Sequence, residues 1–76
     1  MIIDYRTDAK NSYDSGWATV DSRQIFNFDG FIKEHDKEEQ EFLNTLTTEW
    51  KEIPEELLDL TTRQNFICYA RLSKTE

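Results

Sequence analysis

Four glutamates, Glu38, Glu41, Glu49 and Glu52, stand in the stretch KEHDKEEQEFLNTLTTEWKEI. At 3.6 residues per turn their spacing predicts one narrow helical stripe, at about 260–340° when Phe42 is set at 0°. Carboxylates grouped in this way suggest two kinds of chemistry. A general acid and base would need a cleft that pushes one pKa up, and an exposed helix face offers none. Fixed negative charge is the other use. The planar fork of arginine binds carboxylates and phosphates alike, so the stripe is read as a partial phosphate mimic, with Glu34 and Asp36 at its rim. Like charges at this spacing cost a few tenths of a kcal/mol per pair, and alternating signs would have served solubility without that cost.

The remaining reactive groups suggest little chemistry. His35-Asp36 resembles the pair used by metal phosphohydrolases, but those need further His and Asp ligands, and the chain has one histidine. A single cysteine, Cys68, excludes an internal disulfide. Its alternating surroundings, FICYA, predict a buried structural thiol rather than a nucleophile with a base beside it. DKEEQE lacks the spacing and glycine of a calcium loop. No catalytic residue, metal site or cofactor is expected, and the chain is not read as an enzyme. Tyr5, Tyr13 and Trp17 fall in a loop-rich first quarter and are candidate anchors, since Tyr and Trp are enriched where partners bind.

Charge distribution sharpens this. The 76 residues carry a net charge of −7. Residues 34–59 hold ten acids and two bases, while residues 60–76 hold one acid and three bases. Direct binding to nucleic acid or an anionic membrane is disfavoured, because both demand Lys and Arg. A basic partner is favoured. The opening MIIDYRTDAK lacks a basic region followed by an apolar one, so no secretory signal is expected. With the lone cysteine, this points to the cytoplasm of a bacterial host cell.

The stripe depends on the elements that hold it. A chain of this length reads as one domain, 1–76, burying only about 60% of its unfolded surface. Residues 1–33 read as strands and loop, with a short strand or ordered arm at MIIDYR, a loop at TDAKNSYDSG and a strand at WATVDS. QIFNFDGFI follows as a further strand, joined to WATVDS by a tight turn at residues 22–24. Residues 36–63 read as helical. Asp36 suggests an N-cap, with Glu39 at capping-box spacing. Phe42, Leu43, Leu46, Trp50 and Ile53 fall within an arc of about 100°, predicting a long acidic helix over about 37–52 with Leu46 and Trp50 against the sheet. Pro54 would open a short second helix, PEELLDLTTR, with Leu57, Leu58 and Leu60 inward. Residues 65–72 alternate and predict a closing strand. The fold class is α+β: an antiparallel sheet of three or four strands with both helices on one face.

In size and charge the chain resembles the small acidic proteins that phages and mobile elements direct against host enzymes, the anti-CRISPR and anti-restriction proteins. WATVDS, the acidic segment ending in Glu49-Trp50 and the final strand are similar to the small phage inhibitors of bacterial RNA polymerase. Both resemblances imply an inhibitor of a basic nucleic-acid-binding protein or complex, and the lack of a catalytic constellation predicts that it acts stoichiometrically. The competing reading is an antitoxin-like or regulatory module, bound through a sheet edge, whose acidic face serves solubility.

Overall fold

The computed structural model describes residues 1–11, 15–28, 30–32 and 35–74. Four strands, β1 (Ile2–Ala9), β2 (Ser15–Asp21), β3 (Lys51–Glu52) and β4 (Phe66–Leu72), form one antiparallel sheet in the order β2-β1-β4-β3. Two helices, α1 (Asp36–Asn44) and α2 (Leu60–Asn65), and two 3-10 turns, Ile25–Asn27 and Glu55–Leu57, complete the α+β fold. The central pair joins the first strand to the last, with Tyr5 opposite Ala70 and Arg6 opposite Tyr69.

Alternation along the strands separates two rows. Ile3, Cys68 and Ala70 point inward and meet Ile25, Phe26, Phe31, Phe42, Leu43, Leu46, Ile53, Leu57 and Leu58 in one core. Asp4, Arg6 and Asp8 point to the opposite, outer side, as successive strand residues must. Lys51, opposite Ala70 on the inner side, lies 5.7 Å from the Phe42 ring centroid, which ties α1 to the β3 end of that side.

The expected long acidic helix is not formed: α1 ends at Asn44. Threonine explains why. The Thr45 hydroxyl donates to the Phe42 carbonyl at 2.8 Å, and the Thr45 and Leu46 amides close onto residues three back. Such side-chain bonds compete with the helical ladder, and β-branched residues propagate helix poorly. The Glu49 amide then turns back to the Thr47 hydroxyl, and the Leu72 amide captures the Thr47 carbonyl. Leu46 is buried as expected, but Trp50 emerges on the outer side of the sheet rather than in the core. At the other end His35, not Asp36, is the N-cap, it makes no side-chain cap bond, and Glu39 is buried.

Two further expectations are overturned. The described residues within 24–32 form no regular strand. Adjacent Ile25 and Phe26 both enter the core from the 3-10 turn, and Phe31 makes an isolated bridge to Leu58. Strand β2 pairs with β1 and not with this segment. The expected second helix is likewise divided. Leu58 is extended to meet Phe31, and only after it does Asp59 cap α2 by accepting from the Thr62 amide at 2.8 Å. Leu60 is therefore 62% exposed rather than inward. Gly30 sits at φ 97°, and a Cβ there would lie 2.6 Å from the Thr62 hydroxyl, so this crossing requires glycine.

Candidate functional site: the outer face of the sheet

Cross-strand pairs build the outer face. Asp4 lies opposite Thr19 and Arg71, and Arg6 lies opposite Trp17 and Tyr69. Residues directly opposite in an antiparallel ladder share a face. Glu52, opposite Tyr69, belongs to the same face. Trp50, arriving from the turn after α1, closes over it.

Each arginine is held by a carboxylate and by rings. Arg71 donates from Nε to Asp4 Oδ2 at 2.8 Å, and the Thr19 hydroxyl donates to the other Asp4 oxygen at 2.9 Å. The Arg71 guanidinium lies 4.2 Å from the Trp50 centroid and 5.6 Å from that of Trp17. Arg6 donates through Nε and Nη2 to both oxygens of Asp8, at 3.0 and 2.7 Å. That fork raises the Arg6 pKa further above its usual value, so the charge is permanent. The Arg6 guanidinium lies 5.6 Å from the Trp50 centroid and 5.3 Å from that of Tyr69. Trp17 and Trp50 meet edge to face at 6.4 Å between centroids. Cation–π pairs of this kind fall within the ~6 Å at which attraction is significant.

Burial along the face is graded. The Asp4 side chain is 5% exposed and the Arg71 side chain 20%. Trp17 is 58% exposed, although it belongs to a regular strand. No helix of the described residues contributes to this face, and α1 packs on the inner side. The face is thus a rigid platform of rings with two neutralised arginines, offering large apolar area and charged edges together.

The residues expected from sequence to bind a partner divide. Trp17, Glu49 and Glu52 gather on or beside the platform, Glu49 being the neighbour of Trp50. Glu38 and Glu41 stay exposed on α1, with Asp36 at its start. Since α1 packs inward and Glu52 outward, the four glutamates form no single stripe. Tyr5 faces inward, where its hydroxyl donates to Cys68 Sγ at 3.6 Å and its ring stacks 5.8 Å from that of Phe28. Burial raises the pKa of both the Tyr5 phenol and the Cys68 thiol. Tyr13 and Glu34 lie outside the described residues.

Sequence reasoning missed Arg6, Arg71, Tyr69 and Trp50 as a group. The signal was there: Asp4, Arg6 and Asp8 alternate with Ile3, Tyr5 and Thr7, and Tyr69 and Arg71 alternate with Cys68 and Ala70. Ending the first strand at Arg6 concealed the first of these rows.

Comparison of the chain with protein-family models, with curated proteins and with solved structures finds no match. Among the described residues no group of three or more His, Cys, Asp or Glu side chains could hold a metal ion. No helix among them is long and apolar enough to cross a membrane.

Proposed function

We propose that the chain is a non-catalytic binding protein that docks its outer sheet face onto a basic partner of the nucleic-acid-handling kind and excludes nucleic acid from it. The observation that carries this reading is the platform: Trp17, Trp50 and Tyr69 interleaved with Arg6 and Arg71. Trp, Tyr and Arg dominate the residues that carry binding energy at protein interfaces. Strand pairing, the Asp4 and Asp8 bonds and ring contacts already hold these side chains, so little entropy remains to be lost on docking. The net charge of −7 selects a basic surface. Glu49 and Glu52 supply charge at the rim, where it acts on association rate more than on the lifetime of the complex.

Rings on a sheet face also stack nucleic-acid bases. Here the two arginines are already paired with carboxylates and the surrounding charge repels a phosphate backbone, so a protein partner is favoured.

The test begins with capture from a bacterial lysate on the full chain, followed by titration of the purified partner. Trp17→Ala should weaken binding by about 30-fold, the equivalent of ~2 kcal/mol at a hot spot. Glu49→Gln with Glu52→Gln should slow association and flatten its salt dependence. Single-stranded DNA should compete for the partner. Unchanged affinity in Trp17→Ala, with a large loss in Glu38→Gln/Glu41→Gln, would move the interface to α1 and overturn this assignment.

A further inference from the structure

The two edges of the sheet are built differently. β3 is two residues long and both are charged, Lys51 and Glu52, which blunts that edge against further pairing. β2 runs for seven residues, SGWATVD, with no proline, no lysine and a single charge, Asp21, at its end. Asp21 is already held by Arg23 at 3.3 Å. The register with β1 is continuous, so no bulge bends β2 away. Ser15 through Thr19 are exposed.

Backbone direction at this edge follows from ladder alternation. The Ser22 amide bonds the Met1 carbonyl at 2.8 Å, which fixes Val20, Ala18 and Gly16 as the β2 residues that exchange bonds with β1. The amides and carbonyls of Ser15, Trp17, Thr19 and Asp21 therefore point away from the sheet. The Gln24 amide takes the Asp21 carbonyl at 2.9 Å, as this alternation requires. Trp17 and Thr19 are exposed residues, and their outward groups take no hydrogen bond among the described residues.

We infer that β2 is a self-association edge, pairing antiparallel with β2 of a second copy about a two-fold axis at Ala18. In that register Trp17 exchanges both backbone bonds with Thr19 of the other copy. Ser15 stands opposite Asp21, and Ala18 opposite itself in a close non-hydrogen-bonded pair. Outward residues meet outward residues, and all seven β2 residues stand opposite a residue of the other copy, with the Asp21 carbonyl remaining on Gln24; a slip of two residues keeps the first property and shortens the overlap. Charge favours a second copy over a basic segment, because β2 offers no free carboxylate to attract one. The acidic excess lies with α1 and β3. The strand order puts β3 three strands from β2, roughly 14 Å away at about 4.8 Å per strand. That exceeds the screening length of about 8 Å at physiological salt, so the acidic regions of the two copies stay apart. Pairing joins two platforms into one continuous outer surface. The dimer does not depend on the partner proposed above.

Sedimentation equilibrium of the full chain tests this. The wild-type protein should show a dimer that dissociates on dilution. Ala18 is exposed, so Ala18→Lys and Ala18→Glu should each keep the far-UV circular dichroism of the parent. Each alone places like charges directly opposite and should weaken the dimer by about fivefold or more, whereas an equimolar mixture of the two should restore it. Thr19→Pro removes an outward amide that β1 does not use and should also weaken the dimer, while Thr19→Val, which loses the same bond to Asp4, should not. A wild-type monomer up to ~1 mM overturns the inference. So does a dimer indifferent to both Ala18 charges, or a monomer that takes up only an added extended peptide at this edge.

Discussion

Along β1, Ile3, Tyr5 and Thr7 interleave with Asp4, Arg6 and Asp8, and the two rows are held by different forces. The inner row is positioned by exclusion of water. Ile3 and Ala70 are fully buried, and any side chain of similar volume would suit much of that environment. The outer row is positioned by direction. Arg71 must reach Asp4 and lie against Trp50 at once, and few side chains satisfy both. Apolar packing tolerates exchange, whereas a paired charge beside a ring does not. The inner face therefore carries stability and the outer face carries specificity, on one scaffold barely one strand thick.

That division can be broken by measurement. The largest effect should come from the inner side. Leu57→Ala, at a fully buried site, should cost about 2–5 kcal/mol in denaturant unfolding. A loss under ~0.5 kcal/mol would mean that the core collapses around the gap and that the face contributes little.

Asp4 comes next, since it belongs to the outer row and is as buried as the inner. Asp4→Ala should cost about 1.5–3 kcal/mol, by leaving Arg71 and the Thr19 hydroxyl without their acceptor. Arg71→Met should also destabilise, by stranding the Asp4 carboxylate. The double variant Asp4→Leu/Arg71→Met should be more stable than either single change, because a buried ion pair is costly to break and cheap to replace. Additive losses would show that the pair is not acting as a unit.

The inner row also predicts an alkaline limit. Tyr5 and Cys68 have pKa values raised by burial. The unfolded chain ionises them near their ordinary values of about 10 and 8.5, while the folded chain keeps the protons. Stability from these groups is complete below those values and is lost as pH rises through them, because the unfolded state then binds fewer protons. Thermal midpoints should fall between pH 8 and pH 10.5 (proposed test conditions), and Tyr5→Phe should shrink the fall. An equal fall in Tyr5→Phe would place the alkaline sensitivity elsewhere.

The smallest effect on stability belongs to Trp17. At 58% exposure, Trp17→Ala should change unfolding free energy by only about 0.5 kcal/mol, even as partner binding drops steeply. A loss of stability comparable to that of Leu57→Ala would erase the distinction between the faces.

Sequence alone conveyed the sheet better than the helices. β4 alternates, and Cys68 and Ala70 sit inward as period two requires. The acidic segment misled because its apolar residues fit a helical period through Ile53, while Thr45 and Thr47 were competing for backbone bonds within it. Periodicity records which residues prefer burial and not which backbone geometry delivers them. Trp50 satisfied the period and still went to the other side of the sheet, because a strand and a turn reversed its direction. The same limit hid the division of PEELLDLTTR: only the bridge between Phe31 and Leu58, a contact between distant segments, makes Leu58 extended.

The central position of β1 and β4 also sets an order of events. Arg6 pairs with Tyr69, so the middle of the sheet closes a loop of nearly the whole chain. The β1–β2 hairpin is local and can form early, but with β4 absent one side of β1 has no partner. During synthesis the hairpin must wait for the last strand to emerge, with Asp4 lacking Arg71 and Ile3 lacking Leu72. Distant pairing of this kind slows folding, because loop closure comes before the contacts that reward it. An unpaired apolar strand in the interim is exposed to misassembly. From Asp4 onward, Asp4, Arg6 and Asp8 place charge at alternate positions of β1, and charge on an unpaired strand opposes such misassembly.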